Sequence, residues 1–229
     1  MGSIIIEDTG YNVTRETNWG ILPNRKLRSV SITGKDGAIV LGSKLNKRTM
    51  TLDIILGGNN EEEYLEARDR LAELFGDLET KKLRFSHQNR SYYVRYTGGS
   101  NSIEWVKDGK ITIPLLLADP YAYGEVVTVQ DSDTSLNNQG TEATPLLIEI
   151  EGPANSPTIT VGEVVLRYNG IVEEGEILKI DGGTKEVTIA GENVLYNLEG
   201  IPPLLTPGQT EVQCSSGVCT WIWEERYLI

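Results

Sequence analysis

The sequence predicts a mainly β protein of two domains, with one α-helix inserted in the first. Three observations carry this reading. Short alternating apolar runs recur along the chain, with Gly, Asn, Asp and Pro in the gaps between them, the pattern of strands joined by turns. One segment alone, from Asn60 to Leu78, switches to helical spacing. Charge then divides the chain: up to Glu125 there are 17 basic and 17 acidic residues, whereas from Val126 onward there are 4 and 16, which is the whole net charge of −12. One continuous core surface does not readily produce such a step, so the domains are expected to span 1–125 and 126–229.

The first domain reads as strands around one helix. Lys26–Thr33 alternates and meets a tight turn at Gly34-Lys35-Asp36-Gly37, which leads into Ala38–Leu41. Arg48–Leu56 places Met50, Leu52 and Ile54 on one face. In the helix, Asn60 and Glu63 form a capping pair, and Glu61 and Glu62 favour the positive end of the helix dipole. Tyr64, Ala67, Leu71, Leu74 and Leu78 make an apolar stripe that packs on a sheet, and Gly76 is a terminator. Further strands are expected at Lys82–Ser86, Tyr92–Tyr96, Ile103–Lys107 and Lys110–Ala118, which with the earlier runs make a barrel-like or sandwich-like domain.

Leu115–Ala118 ends at Asp119-Pro120-Tyr121-Ala122-Tyr123-Gly124, a stop between two apolar runs. Asp119 can bond the backbone that follows it, and Pro120 fixes φ and lacks a sheet donor. Gly124 permits a sharp exit, and Tyr121 and Tyr123 anchor the departing chain. Residues 131–144 are polar and turn-rich and read as a linker or long loop. Beyond them lie short strands at Leu146–Glu151, Thr158–Val161, Val164–Tyr168, Ile177–Ile180, Val187–Ala190, Glu211–Cys214 and Cys219–Trp223. Regular short strands with turn residues in each gap read as a β-sandwich.

Chemistry is sparse. With His87 as the single histidine, set in a turn, a nucleophile–histidine pair has almost nothing to build on. Gly57-Gly58 and Gly98-Gly99 lack the Lys-Ser/Thr partner of a phosphate loop. Glu173, Glu174 and Glu176 cluster near a turn, where carboxylates normally face water rather than each other across a cleft. No loop has the ligand spacing of a calcium site, and Cys214 and Cys219 would need two more ligands to hold zinc. The two cysteines read as free thiols, with a disulfide across a hairpin as the alternative. No enzyme activity, cofactor or metal is expected.

Even the apolar run Pro114–Ala118 is far too short to span a bilayer, and Met1–Ile6 lacks the basic start and length of a signal peptide. The acidic second half argues against nucleic acid as a partner. Trp221 and Trp223 lie two apart and share a strand face that Tyr227 continues. Two readings stay open for them: core or interface of the sandwich, or a platform for a sugar ring.

The run ending in Ala-Asp-Pro-Tyr-Ala-Tyr-Gly at residues 118–124 resembles the end of the N-terminal domain in the distal tail protein (Dit) family of long-tailed, non-contractile bacteriophages. "RKLRSVSITGKDG" is similar to that family's first hairpin and "RTMTLDIILGG" to its next strand. "LRFSHQNRSYYVRYTG" follows the helix as in the family, and "GEILKIDGGTKEVTIAGENV" with "LLTPGQTEV" resembles its C-terminal sandwich. The family often has an aromatic before the Asp-Pro, where this chain has Leu115-Leu116-Leu117. The resemblance implies a galectin-like C-terminal sandwich and a structural role in the virion, at the tail tip, after assembly in the host cytoplasm. It implies a homo-hexameric ring built by the N-terminal domains, with the sandwiches at the periphery. The partners it implies are the tail tube protein, the tail-associated lysin or fibre hub, and a receptor-binding protein. The alternative is a glycan-binding adsorption module that uses Trp221, Trp223 and Tyr227.

Overall fold

The computed structural model describes residues 2–6, 9–13, 23–56, 61–76, 79–85, 89–99, 101–102 and 109–228. The chain forms two compact units, one running to Ala122 and joined by Leu228, the other Tyr123–Tyr227. Asn60, Gly57-Gly58, Leu78, His87 and the strand expected at Ile103–Lys107 lie outside the described residues.

The first unit is a closed antiparallel barrel. Its strands are β1 (Gly2–Ile6), β2 (Thr9–Val13), β5 (Arg48–Leu56), β6 (Lys81–Phe85), β7 (Ser91–Tyr96) and β9 (Gly109–Leu117). β1 pairs with β2 and β6, β2 with β5, β5 with β9, β9 with β7, and β7 with β6, so the pairing returns to its start. Closure removes the unpaired edges that an open sheet must protect. β9 serves two neighbours on one side, with Leu115 and Leu116 opposite β7 and Ile111 and Thr112 opposite the short β8 (Asn101–Ser102). A separate hairpin, β3 (Arg25–Val30) and β4 (Ile39–Leu45), is inserted between β2 and β5.

Alternation places Met50, Leu52 and Ile54 of β5 directly opposite Leu115, Ile113 and Ile111 of β9, and all six are buried. The helix α1 (Glu61–Gly76) carries three acidic residues in its first turn, where they favour the positive dipole end. Its buried residues are Tyr64, Leu71 and Phe75. Ala67 and Leu74 are only half-buried, so the buried stripe is rotated toward Phe75, a residue absent from the expected set. The reason is aromatic: the Phe75 ring meets Tyr96 of β7 with centroids 6.2 Å apart, and such pairs gain more than their area alone.

The second unit is a two-sheet sandwich. Its strands are β10 (Tyr121–Gln130), β11 (Asp133–Asn138), β12 (Thr144–Glu151), β13 (Ala154–Asn155), β14 (Thr158–Val161), β15 (Val164–Tyr168) and β16 (Ile171–Val172). They continue with β17 (Ile177–Asp181), β18 (Val187–Ile189), β19 (Glu192–Asn193), β20 (Leu198–Glu199), β21 (Leu204–Leu205), β22 (Gly208–Cys214) and β23 (Val218–Leu228). One sheet runs β19-β18-β17-β12-β23-β10 and the other β11-β22-β14-β15-β20. On β12, Thr144, Leu146, Ile148 and Ile150 are buried in strict alternation. They face Val212 and Cys214 of β22, Ile159 and Val161 of β14, and Leu166 of β15 in one core.

Two expectations at the start of this unit are corrected. Residues 131–144 are not a linker: Asp133–Asn138 is a full strand whose six residues pair in register with Gln213 to Gly208 of β22. Only Leu136 and Asn138 of this edge strand are buried, so its outward polar residues imitate a loop. Gly124 is likewise no exit turn, since the bend is confined to Ala118-Asp119 and β10 runs unbroken from Tyr121.

Asn138 ends β11 by doing the work of backbone. Its Nδ2 donates to the carbonyls of Glu142 (3.2 Å) and Leu205 (3.1 Å), and its Oδ1 accepts from the Gly140 N–H (2.9 Å). Leucine at 138 fills the same space but leaves these buried groups unpaired. Asn138→Leu is expected to lower unfolding free energy by about 1–3 kcal/mol. Urea titration with an unchanged slope checks this, and a loss under about 0.5 kcal/mol would show that the network is dispensable.

Candidate functional site

The hairpin β3–β4 departs from the other described strands of its unit whose burial is given. Gly34 and Gly37 take φ of +81° and +89°, a region open to glycine, and turn the chain tightly. Six rungs then join the strands, with a bulge between Arg28 and Ser29. No residue of either strand is buried. Leu27, Val30, Ile32, Ile39, Val40 and Leu41 are between 46% and 62% exposed. An isolated two-stranded hairpin is marginal in water, and a contiguous exposed apolar patch marks an interaction surface.

Its charge points the same way. Residues 25–45 carry Arg25, Lys26, Arg28, Lys35 and Lys44 against Asp36, a net of +4 within a domain that balances to zero. Lys26 stands directly opposite Lys44, and Arg28 follows on the same face. Like charges opposed across a ladder destabilise it. A surface built this way gains from an anionic partner. The sequence did flag this segment as strands and turn; the missing signal was burial, because its alternation is that of any half-buried ribbon.

The junction residues fall into two local clusters. In the first unit, Asp119 Oδ1 accepts the Tyr121 N–H at 3.2 Å, and the Pro120 carbonyl accepts from Arg48 Nη1 at 3.4 Å. In the second, the Arg226 guanidinium lies 5.4 Å from the Tyr123 ring centre and its Nη2 donates to Tyr123 Oη at 3.0 Å. Tyr227 Oη donates to Glu225 Oε2 beside them. Gly124 is there because of these neighbours. A β-carbon on it would sit 3.0 Å from Glu225 Oε2, 3.2 Å from Glu225 Cβ and 3.3 Å from the Tyr227 ring. Arg48 and Arg226 were not anticipated, although Arg226 is one of only four basic residues after Glu125.

The sugar-platform reading of Trp221 and Trp223 is corrected. The two side chains are 0% and 3% exposed, opposite Ile148 and Leu146 of β12. Trp221 donates its indole N–H to the Asp131 carbonyl at 2.8 Å. Large apolar area drives such rings inward, and neither offers a face to solvent. Tyr227 is half-buried in the Glu225 contact.

Cys214 and Cys219 are free and buried in the sandwich core. The Cys214 thiol donates to the Ser216 carbonyl at 3.3 Å, and the neighbouring Cys219 thiol lowers Cys214 to about 7, while Cys214 and burial push Cys219 up. Among the described residues no cluster of three or more His, Cys, Asp or Glu side chains is placed to hold a metal ion. No helix among them is long and apolar enough to cross a membrane.

The barrel unit and the sandwich unit each match a family of siphophage tail components. Residues 6–117 match the phage tail protein RIFT-related domain, and residues 139–227 match the siphovirus-type tail component, C-terminal domain. The chain belongs to the distal tail protein (Dit) family of siphophages. It is 24% identical over 198 residues to the distal tail protein of Bacillus phage SPP1, covering 82% of this chain and 78% of that one. The crystal structure of SPP1 Dit, described as a paradigm of the hub adsorption apparatus in phages of Gram-positive hosts, superimposes over 100% of both chains with a TM-score of 0.79 at 18% identity. A chain of the phage P2 baseplate in its activated conformation with calcium gives a TM-score of 0.55 at 7% identity, covering 98% of this chain and 91% of that one. At those identities the likeness to the solved structures is one of fold.

The contacts at Gly124 make a direct test. Gly124→Val forces branched carbons against Glu225 Cβ and the Tyr227 ring, and overpacking of this kind costs about 1–3 kcal/mol. A lowered thermal midpoint is expected for the variant. A midpoint equal to that of the unchanged protein would mean that the neighbours relax freely.

Proposed function

We propose that this chain assembles as a homo-hexameric ring at the tail tip, joining the tail tube protein to the tail-associated lysin or fibre hub. The hairpin β3–β4 is the observation that carries the reading. It exposes apolar residues that a lone chain does not cover and opposes Lys26 to Lys44, so it is built to be buried against something acidic. A surface of one copy that seats on a different surface of the next makes a head-to-tail interface, and such interfaces form rings when the rotation between copies closes. The family and the SPP1 relative support the placement at the distal tail.

Charge supports the division of labour. Six copies of a unit carrying −12 would repel at a narrow axis, whereas the first 125 residues balance to zero. With a screening length of about 8 Å at physiological salt, only closely apposed charges matter. The barrel unit is therefore the one suited to close packing, and the acidic sandwich to a wide rim. The role is structural, without catalysis or cofactor, and involves neither sequence-specific nucleic-acid contact nor membrane insertion. The chain folds in the host cytoplasm and works in the virion, and a receptor-binding protein attaches to the same hub.

Leu27→Asp combined with Leu41→Asp tests the reading, because both residues are exposed in the single chain and their change leaves the fold intact. Full-length protein is mixed with its tail tube protein and followed by light scattering and electron microscopy. Six-fold rings are expected from the unchanged chain and single copies with an unaltered melting temperature from the variant. Rings of equal abundance from both would remove the hairpin from the interface. Robust turnover of wall polymer by the unchanged chain would overturn the structural role.

A further inference from the structure

We propose that Cys214 and Cys219 are an oxidation site, at which a small peroxide converts two core thiols into a disulfide that ties together the two sheets of the sandwich. Cys214 is the last residue of β22, in the sheet that runs from β11 to β20. Cys219 is the second residue of β23, in the opposite sheet. Between them Ser215-Ser216-Gly217 carries the chain from one sheet to the other, and both sulfurs enter the same core. A bond between them would cross the layers beside the loop that carries the chain from β22 to β23.

The geometry is held by backbone on all sides. The Cys214 N–H donates to the Ser132 carbonyl at 2.7 Å, and Cys214 pairs with Ile159 of β14. Cys219 pairs with Ile150 of β12, and its carbonyl accepts the Asp131 N–H at 3.1 Å. The connecting loop is pinned too, since Ser215 exchanges bonds of 3.0 and 2.9 Å with the Thr158 carbonyl and N–H. Gly217 takes φ of +84°, and a β-carbon there would lie 2.7 Å from Ile150 and 2.8 Å from the Glu151 carbonyl. The loop therefore holds both cysteines at one end of the same core, near enough for each thiol to shift the ionisation of the other, and a disulfide there calls for little backbone movement.

The two sulfurs differ in role. Cys214 is 6% exposed and Cys219 0%, so a peroxide reaches Cys214 first. The neighbouring Cys219 thiol lowers the pKa of Cys214, which favours the thiolate, the form that attacks. Its sulfur attacks one peroxide oxygen, the O–O bond breaks, and hydroxide leaves, giving a sulfenic acid. Cys219, whose proton is held more tightly, then resolves it. The Cys219 sulfur bonds to the Cys214 sulfur, and its proton leaves with the sulfenic oxygen as water. Both thiols are oxidised to one disulfide, and one peroxide is reduced to water.

This inference rests on the sandwich alone and is independent of ring assembly. The experiment treats purified full-length protein with a small excess of hydrogen peroxide, followed by intact mass, thiol counting after denaturation, and a thermal melt with and without reductant. The expected product has lost two hydrogens and both thiols together, without added oxygen, and melts about 5 °C or more higher in a way that reductant reverses. Cys219→Ala is expected to stop at Cys214 and accumulate a sulfenic acid that a dimedone probe captures. Retention of both thiols in the folded chain, oxygen adducts in place of the bridge, or intermolecular dimers would overturn it. The mass of the unchanged protein decides the question even where the alanine variant folds poorly.

Discussion

The register between β12 and β23 is the constraint from which the second unit follows. Leu146, Ile148 and Ile150 stand opposite Trp223, Trp221 and Cys219, so one face of the pair carries two indoles and three branched aliphatics. A slip of one residue by either strand would turn its whole inward set to water. Such a face is stable only under a second layer, which β22, β14 and β15 supply with Val212, Cys214, Ile159, Val161 and Leu166. The crossing between layers is fixed by the same residues, because the Trp221 indole holds the Asp131 carbonyl and the Cys219 carbonyl holds the Asp131 N–H. Packing, hydrogen bonding and topology therefore agree at a single point, as they do in sequences that specify one structure.

The barrel reaches the same agreement by closure instead of layering. Its six pairings need no lid of other strands, and α1 sets Leu71 and Phe75 beside Ile111 and Ile113 of β9 and Tyr96 of β7. Among the described residues of the barrel unit, six of the seven exposed large apolar side chains lie on one hairpin. The hairpin breaks the rule that apolar residues find cover and sets like charges against each other, and departures of that kind are where natural sequences place function.

Strong period-two runs were legible in the sequence, and Arg48–Leu56, Thr158–Val161 and Val164–Tyr168 have the expected ends to the residue. Those runs bury one face, so composition and geometry carry the same signal. Asp133–Asn138 was not legible, since an edge strand needs only two inward residues, and one of them, Asn138, is polar. Gly124 was read as a turn because glycine usually supplies backbone freedom; here it supplies space for Glu225 and Tyr227. The Trp pair was visible as a shared face, but which side of the sheet that face takes depends on strands far away in sequence. The hairpin was visible as structure and not as surface, because exposure is a property of what is absent around an element.

Barrel closure also bears on how such a chain diverges. With no free edge to guard, outward positions on the closing strands carry no duty to prevent strand-to-strand aggregation. Inward positions ask only for apolar volume in the right alternation, which many substitutions satisfy. A frame under so few sequence constraints keeps its shape while nearly every residue drifts, and at 18% identity the superposition on SPP1 Dit still spans both chains. Outward-facing surface can thus be redrawn as neighbouring proteins change, while the scaffold that presents it stays heritable as geometry.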